Sequence, residues 1–301
     1  MDRIECMEAF VAAVDHGSLS RAARARGRSI ATVSRAISSI EARLGTTLLL
    51  RTTRMLKLTD AGERYLAVCR RVLTDLADGE QRAGSIGEAP QGVLTVTAPV
   101  MFGTLHVRRI VDSYLATHSG VRVRLLLLDR LVHLLDEGID AAVRIAHLPD
   151  SALVATHVGA TRRVVCASPA YLARHGRPRE PRALAEHRCI SFTALTPSET
   201  WNFGPGPDGG RAKQVRVEPI LSVNTAEAAI ASALDGQGVT CALSYQVAAP
   251  LRAGALTALL TAYEPDPLPV HLVSAMRAAT SAKVSAFLAL ATPALRAALG
   301  N

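Results

Sequence analysis

Apolar positions recur along this chain at two different periods, and the change of period divides it. Near the N-terminus Ile4, Met7, Val11 and Val14 fall at helical spacing, and Gly17 is suited to end that helix. A short second helix is predicted in SRAARARG, with Ser20 as its N-cap and Gly27 closing it. The small residues Ala22, Ala23 and Ala25 allow another helix to approach closely. Ser29 then caps a third helix, SIATVSRAISSIEARLG, which Gly45 stops. Val33, Ile37, Ile40 and Leu44 make its apolar face, opposite Ala31, Thr32, Ser34, Arg35, Ser38 and Ser39. The β-branched stretch TTLLLRTTRMLKLT predicts two short strands with Arg51, Thr52, Thr53 and Arg54 at the tip between them.

Two helices joined by a tight glycine-containing turn make a helix-turn-helix unit, whose second helix reads base edges. Short hydroxyls around one arginine fit a major groove about 12 Å wide, and the basic hairpin fits a wing. Thr59 caps a long helix in TDAGERYLAVCRRVLTDLADGEQ, where Tyr65, Cys69, Val72 and Leu76 form a seam that Leu66 and Leu73 widen. A helix between two domains has little surface of its own chain to cover that face, so pairing with a second copy is expected. AGSIGEAPQG, rich in small residues and turn formers, predicts a hinge.

After Gly92 strands and helices alternate. A strand at Val93–Thr97, a helix over 102–118, the strand VRVRLLLL, the helix LVHLLDEG and the strand AAVRI predict a parallel α/β sheet. A second set begins near Arg163 with VVCA, the helix SPAYLARHG and CISF. It continues through a hairpin, the helix TAEAAIASALDG and the strand VTCAL, before VHLVSA and a helix over 281–299 return to the first lobe. In parallel α/β sheets ligands sit beyond the carboxyl ends of strands, near helix N-termini that attract anions. That places Pro99, Val100, Met101, Asp129 and Arg144 at a cleft in one lobe and Asn224 in the other.

Charge sharpens the first half and composition constrains the rest. Of 301 residues 49% are hydrophobic and 20% charged, ordinary for a globular protein. The net charge is +8, and residues 21–58 carry nine cations against Glu41 alone, a surplus equal to the whole. Such a segment is an electrostatic footprint for phosphates. No apolar run reaches the ~18 residues that span a bilayer, and acids interrupt the N-terminal apolar stretch, so neither a membrane span nor a signal peptide is expected. Cys6, Cys69, Cys166, Cys189 and Cys241 are scattered and never form a Cys-x-x-Cys pair, which argues against disulfides or zinc and for a reducing compartment.

Enzyme readings fare poorly. Gly204, Gly206 and Gly209 satisfy a bare G-x-G-x-x-G, but Pro205 and Pro207 interrupt it, and a hairpin loop is favoured. There is no Walker A, His-Glu-x-x-His or Gly-x-Ser-x-Gly pattern, and the nine histidines stand singly. His106, His133 and His147 lie near strand ends with no residue nearby to complete a nucleophile–base unit. An enzyme for a small anionic metabolite is the remaining alternative, and the basic helix-turn-helix argues against it.

The N-terminal stretch closely resembles the DNA-binding domain of LysR-type transcriptional regulators. The matching residues include Phe10, Gly17, Ser18, Ser20, Ala22, Ala23, Val33, Ser34, Arg35, Ile37, Leu44, Gly45, Leu48, the run Arg51-Thr52-Thr53-Arg54, Leu58, Thr59, Ala61 and Gly62. Ile30 departs from the proline that usually opens the recognition helix, Ala36 from a glutamine and Thr47 from an arginine, the last two removing polar contacts. Downstream, Thr97-Ala98-Pro99-Val100, Asp129-Arg130, Glu137-Gly138-x-Asp140, Leu148-Pro149-Asp150-Ser151, Asn224 and Gly236-x-Gly238 resemble the effector domain of the same family.

The resemblance implies a multidomain chain. Its parts are a winged helix-turn-helix over 1–59, a dimerising linker helix and hinge over 60–90, and an α/β effector domain over 91–301 similar to periplasmic binding proteins. That domain would have two Rossmann-like lobes, 91–161 with 267–301, and 162–266. The expected protein is a cytoplasmic regulator, not an enzyme, with no cofactor or metal. Its expected partners are promoter DNA, a small anionic or aromatic effector, a second copy or a dimer of dimers, and RNA polymerase. The expected DNA contacts are Ser20, Arg28, Ser29, Thr32, Ser34, Arg35, Ser38, Arg51, Thr53 and Arg54. The expected dimer contacts are Tyr65, Cys69, Val72 and Leu76.

Overall fold

Caps and periodicity place the N-terminal helices close to where the side chains ask for them. The computed structural model describes residues 2–51, 56–84, 89–130, 132–148, 153–197, 199–207, 209, 211–275 and 281–300. Helices α1 (Arg3–Asp15), α2 (Leu19–Ala25) and α3 (Ile30–Leu44) are followed by strands β1 (Leu49–Arg51) and β2 (Leu56–Leu58) and by α4 (Asp60–Gly84). The Ser29 hydroxyl accepts a bond from the Thr32 amide at 3.1 Å, and Gly45 ends α3 in the left-handed conformation at φ 65°. The Thr59 hydroxyl accepts from the Gly62 amide at 3.0 Å and so caps α4. β1 and β2 pair antiparallel, Arg51 opposite Leu56, while Thr52, Thr53 and Arg54 lie outside the described residues.

Three expectations in this region need correction. The core face of α1 is Cys6, Ala9, Phe10 and Ala13, with Met7, Val11 and Val14 packed around its margin. α1 meets α2, α3 and α4, so Cys6, Ala9 and Ala13 lie where helices approach closely, with Phe10 fully buried beside them. The cap of α2 is Ser18, in extended conformation, and Ser20 lies exposed in the first turn. In α3 the buried residues are Val33, Ala36, Ile37 and Ile40, whereas Leu44 is 43% exposed. Ala36 faces the core, so its departure from the family pattern takes no polar group from the surface.

The chain forms two compact units, Met1–Glu88 with Val132–Ile139, and Ala89–Leu131 with Asp140–Asn301. In the second unit β3 (Gly92–Ala98), β4 (Val121–Leu127), β5 (Ala141–Ile145), β6 (Leu153–Thr161) and β14 (Leu268–Ala275) form one sheet in the order β4-β3-β5-β14-β6. β3 is parallel to β4 and β5, but β14 runs antiparallel to β5 and β6. The sheet is therefore mixed, not parallel as expected, because β14 enters only after the chain has come back from the other lobe. One helical run, α5 (Val100–Phe102), a π turn (Gly103–Val107) and α6 (Arg108–Thr117), packs on one sheet face with α10 (Ala282–Leu299). The expected helix LVHLLDEG is a single turn, Glu137 N–H to His133 C=O, closed by Gly138 at φ 63°.

The second lobe has β7 (Arg163–Ala167), β8 (Cys189–Phe192), β11 (Pro219–Val223), β12 (Val239–Leu243) and β13 (Thr257–Leu259) in the order β11-β8-β12-β7-β13. Every residue of β12 is buried, as a central strand covered on both faces requires. α8 (Ala226–Leu234) and α9 (Ser244–Arg252) cover one face. α7 (Pro169–His175) and the hairpin β9 (Thr200–Phe203)–β10 (Lys213–Arg216), through Trp201 and Phe203, cover the other. The glycine-rich stretch is the loop of that hairpin, with Gly206 and Gly209 left-handed and no helix following, so it is not a dinucleotide turn.

By length and composition alone α10, with 18 residues and a mean hydropathy of 1.3, is apolar enough to cross a membrane, although Lys283 and Arg296 interrupt it. Its Val284, Phe287, Ala291 and Leu295 are buried in the core of the first lobe, which accounts for that composition.

Candidate nucleic-acid interface and effector cleft

On α3 the positions expected to face DNA form one surface. Ser29, Arg35 and Ser38 are exposed, and Thr32 and Ser34 are half-buried. The hydroxyls of Ser29 and Thr32 share a hydrogen bond of 2.8 Å, which fixes the helix start. Arg28, just before α3, is exposed and stands 3.7 Å from Glu5, while Arg26 pairs with Glu8 at 2.5 Å. Those two cations are partly neutralised by α1; Arg35 has no such partner among the described residues. Glu41, the lone acid of the segment, accepts the amides of Leu48 at 2.8 Å and Leu49 at 3.2 Å. Its carboxylate thus ties the end of α3 to the start of the first wing strand, and its single charge leaves the segment strongly positive. Arg51 ends β1, and its side chain, like Thr53 and Arg54, lies outside the described residues.

The seam expected for dimerisation splits in two. Leu66 and Cys69 are buried in the core of the N-terminal domain, and Tyr65 packs against that core with its hydroxyl 3.5 Å from Arg43. Burial pushes the Cys69 thiol up to about 11, outweighing the hydrogen bond with Tyr65 and the charge of Arg43, which both favour the thiolate. Cys69 thus has no surface to offer a second chain. Farther along, Val68 and Leu76 are 37% and 39% exposed, and Val72 and Leu73 are half-buried. The unmatched apolar surface begins there.

In the effector domain β3 runs through Pro99 into the helix that starts at Val100. The Val100 amide donates to Asp129 Oδ1 at 3.0 Å, so the anion position at this helix N-terminus is filled by the chain's own carboxylate. Burial raises the Asp129 pKa; the Val100 hydrogen bond lowers it, and the charge of Glu227 in the first turn of α8 raises it further. The lobes interlock around this turn. Met101 packs on the second-lobe core of Ala226, Ile230 and Val247, and Tyr245 of α9 packs on the first-lobe core. Tyr245 meets the Phe102 ring edge-on at 5.2 Å, with His106 6.1 Å away. His106 lies in the π turn; desolvation, then the charge of Arg109, lowers its pKa. π turns often mark functional sites.

Arg144 is not part of this turn: it lies in β5 opposite His271 of β14, on the face away from Val143 and Ile145. Asn224 is exposed between β11 and α8. Phe102, His106, Glu227 and Tyr245 were not anticipated as site residues. Only the π turn's aromatic and imidazole pair four residues apart gave a local signal, since Tyr245 arrives from the far lobe.

At the crossing between lobes, β6 and β7 are separated by Arg162 alone. Its carbonyl accepts from the Ser244 amide at 2.8 Å, and its guanidinium pairs with Glu264 in the segment that leads into β14. All five cysteines are buried and free. Cys166 and Cys241 lie on neighbouring strands but belong to the cores on opposite sheet faces, and burial pushes both thiols up to about 12. Among the described residues no group of His, Cys, Asp and Glu is arranged to hold a metal ion.

Comparison with known proteins agrees with both halves. The family described as "Bacterial regulatory helix-turn-helix protein, lysR family" matches residues 4–63, and "LysR substrate binding domain" matches residues 87–296. The HTH-type transcriptional regulator YhjC of Escherichia coli (strain K12) is 32% identical over 292 residues, covering 96% of each chain. The structure of CrgA from Neisseria meningitidis, a LysR-type transcriptional regulator, has a TM-score of 0.61 at 30% identity over 99% of both chains. The full-length structure of AphB, the Vibrio cholerae virulence activator, has a TM-score of 0.65 over 97% of this chain and 98% of that one; at 21% identity it speaks to fold alone.

Proposed function

The chain belongs to the LysR family of transcription regulators, with a DNA-binding helix-turn-helix and an effector-binding domain, and we propose how its own residues divide that work. α3 enters the major groove with Arg35 as the principal base contact, supported by its exposure and by Glu41 being turned to the wing backbone. Arg28 and the wing residues Arg51, Thr53 and Arg54 hold phosphates. The open part of α4, from Val68 to Leu76, pairs with a second copy, and dimers act on promoters and on RNA polymerase in the cytoplasm. The effector binds at the turn of Pro99, Val100 and Met101, between the lobes.

The observation that carries this placement is the interlock of Met101 and Tyr245 around Asp129, where a guest would bear on both lobes at once. Of the two expected effector chemistries the aromatic one is better supported, because a carboxylate brought to this helix N-terminus meets Asp129 already there. A ligand that binds one arrangement of the lobes better shifts the population toward it, and so alters promoter occupancy.

Val100→Trp tests the site. Promoters bound by the protein in its own genome are recovered, and reporters built on them are challenged with a panel of aromatic and carboxylated metabolites. The variant is expected to bind the same promoters with unchanged affinity and to lose the response. A normal response at unchanged metabolite concentration would move the effector site elsewhere.

A further inference from the structure

We infer that Ile30 reads sequence: its side chain contacts the 5-methyl group of a thymine in the major groove. Ile30 is the first residue of α3, 51% exposed, and takes no part in the apolar core of its domain. Folding therefore gives no reason for a large apolar side chain at this position. The neighbouring hydroxyls of Ser29 and Thr32 are bonded to each other, and Arg35 follows on the same helix, so Ile30 is an apolar projection in a polar, basic setting. A second copy of the same cationic surface would repel it; DNA would not, and the segment's surplus of positive charge matches phosphates. Residues at the start of a recognition helix are those that reach base edges. On the major-groove edge the only apolar feature is the thymine methyl.

The inference rests on α3 being the recognition helix, and the experiment separates the two. The full-length protein, Ile30→Ser and Arg35→Ala each select binding sites from a randomised duplex pool, with circular dichroism confirming the helix content of the variants. The wild type is expected to enrich a thymine at one position of each half-site, and Ile30→Ser to lose that preference alone. Replacing that thymine by deoxyuridine, which lacks the methyl, should weaken wild-type binding about threefold to fivefold, the worth of one buried methyl group. Ile30→Ser should bind both duplexes equally. If deoxyuridine weakens neither protein at any position, or weakens both alike, the assignment of Ile30 is wrong while Arg35→Ala still changes the selected sequence. If Arg35→Ala also selects the wild-type sequence, α3 is not the recognition helix.

Discussion

Helices α3 and α4 are both capped, amphipathic and in contact with α1, yet they use their apolar faces differently. In α3 the residues Val33, Ala36, Ile37 and Ile40 are all buried by their own domain. Among the described side chains of the α4 seam Leu66 and Cys69 are buried, whereas Val68 and Leu76 are exposed and Val72 and Leu73 half-buried. A helix with a satisfied core face can give its other face to DNA. A helix whose apolar face outlasts its domain must find that burial elsewhere, and in a family whose members form oligomers a second copy is the economical source. The difference also shows why a seam read from spacing is not yet an interface: spacing says which residues share a face, and only the neighbouring elements say which of them are already covered.

The largest expected effect breaks the comparison on the α4 side. Val72→Glu with Leu76→Glu places two charges in what is proposed to be an apolar helix pair, where an uncompensated buried charge costs of order 3–5 kcal/mol. Light scattering should show a smaller particle, and binding to a selected operator should weaken. An oligomer of unchanged size would mean that this surface is covered within the chain.

A pair of glycines sharpens the contrast within α4 itself. A Cβ at Gly62 would meet the Leu48 carbonyl oxygen at 2.1 Å, whereas one at Gly79 meets nothing within 4 Å. Gly62→Ala must push α4 off the wing and should destabilise the N-terminal domain by about 1–3 kcal/mol in urea unfolding. Gly79→Ala should stabilise by about 0.5–1 kcal/mol, the ordinary gain in helix propensity. A loss at Gly79 instead would reveal close packing there from another chain.

Sequence was most informative where structure is local. The Ser29 cap, the Gly45 stop and the apolar face of α3 depend on residues within one helix, and all but Ala36 and Leu44 read correctly. The face of α1 did not, because three helices contact it and its buried positions include the small residues Cys6, Ala9 and Ala13, which hydrophobic spacing passes over. Strands β6, β11 and β13 went unread, since their partners lie far along the chain, and helix α9 went unread, with Pro250 inside it. The sheet direction of β14 was missed because it follows from a return crossing, which no window of residues records. At the cleft the turn of Val100 was legible as the end of a strand entering a helix. That Asp129 fills the anion position itself required β3 and β4 side by side, and that Tyr245 completes the wall required the second lobe in place.

The smallest expected effect tests whether the core face of α3 is as complete as the contrast requires. Periodicity put Leu44 in the core with Val33, Ile37 and Ile40, but at 43% exposure it has little burial to lose. It also lies in the last turn of α3, where the peptide dipoles leave partial negative charge and a cation gains about 0.3–1 kcal/mol. Leu44→Lys should therefore change stability by no more than about 0.5 kcal/mol in either direction, as substitutions away from core features usually do. Ile40→Ala, fully buried four residues earlier, should cost about 2–5 kcal/mol in the same urea titration. Comparable losses in the two variants would show that Leu44 is covered in solution, and that α3, like α4, carries apolar surface beyond what its own domain provides.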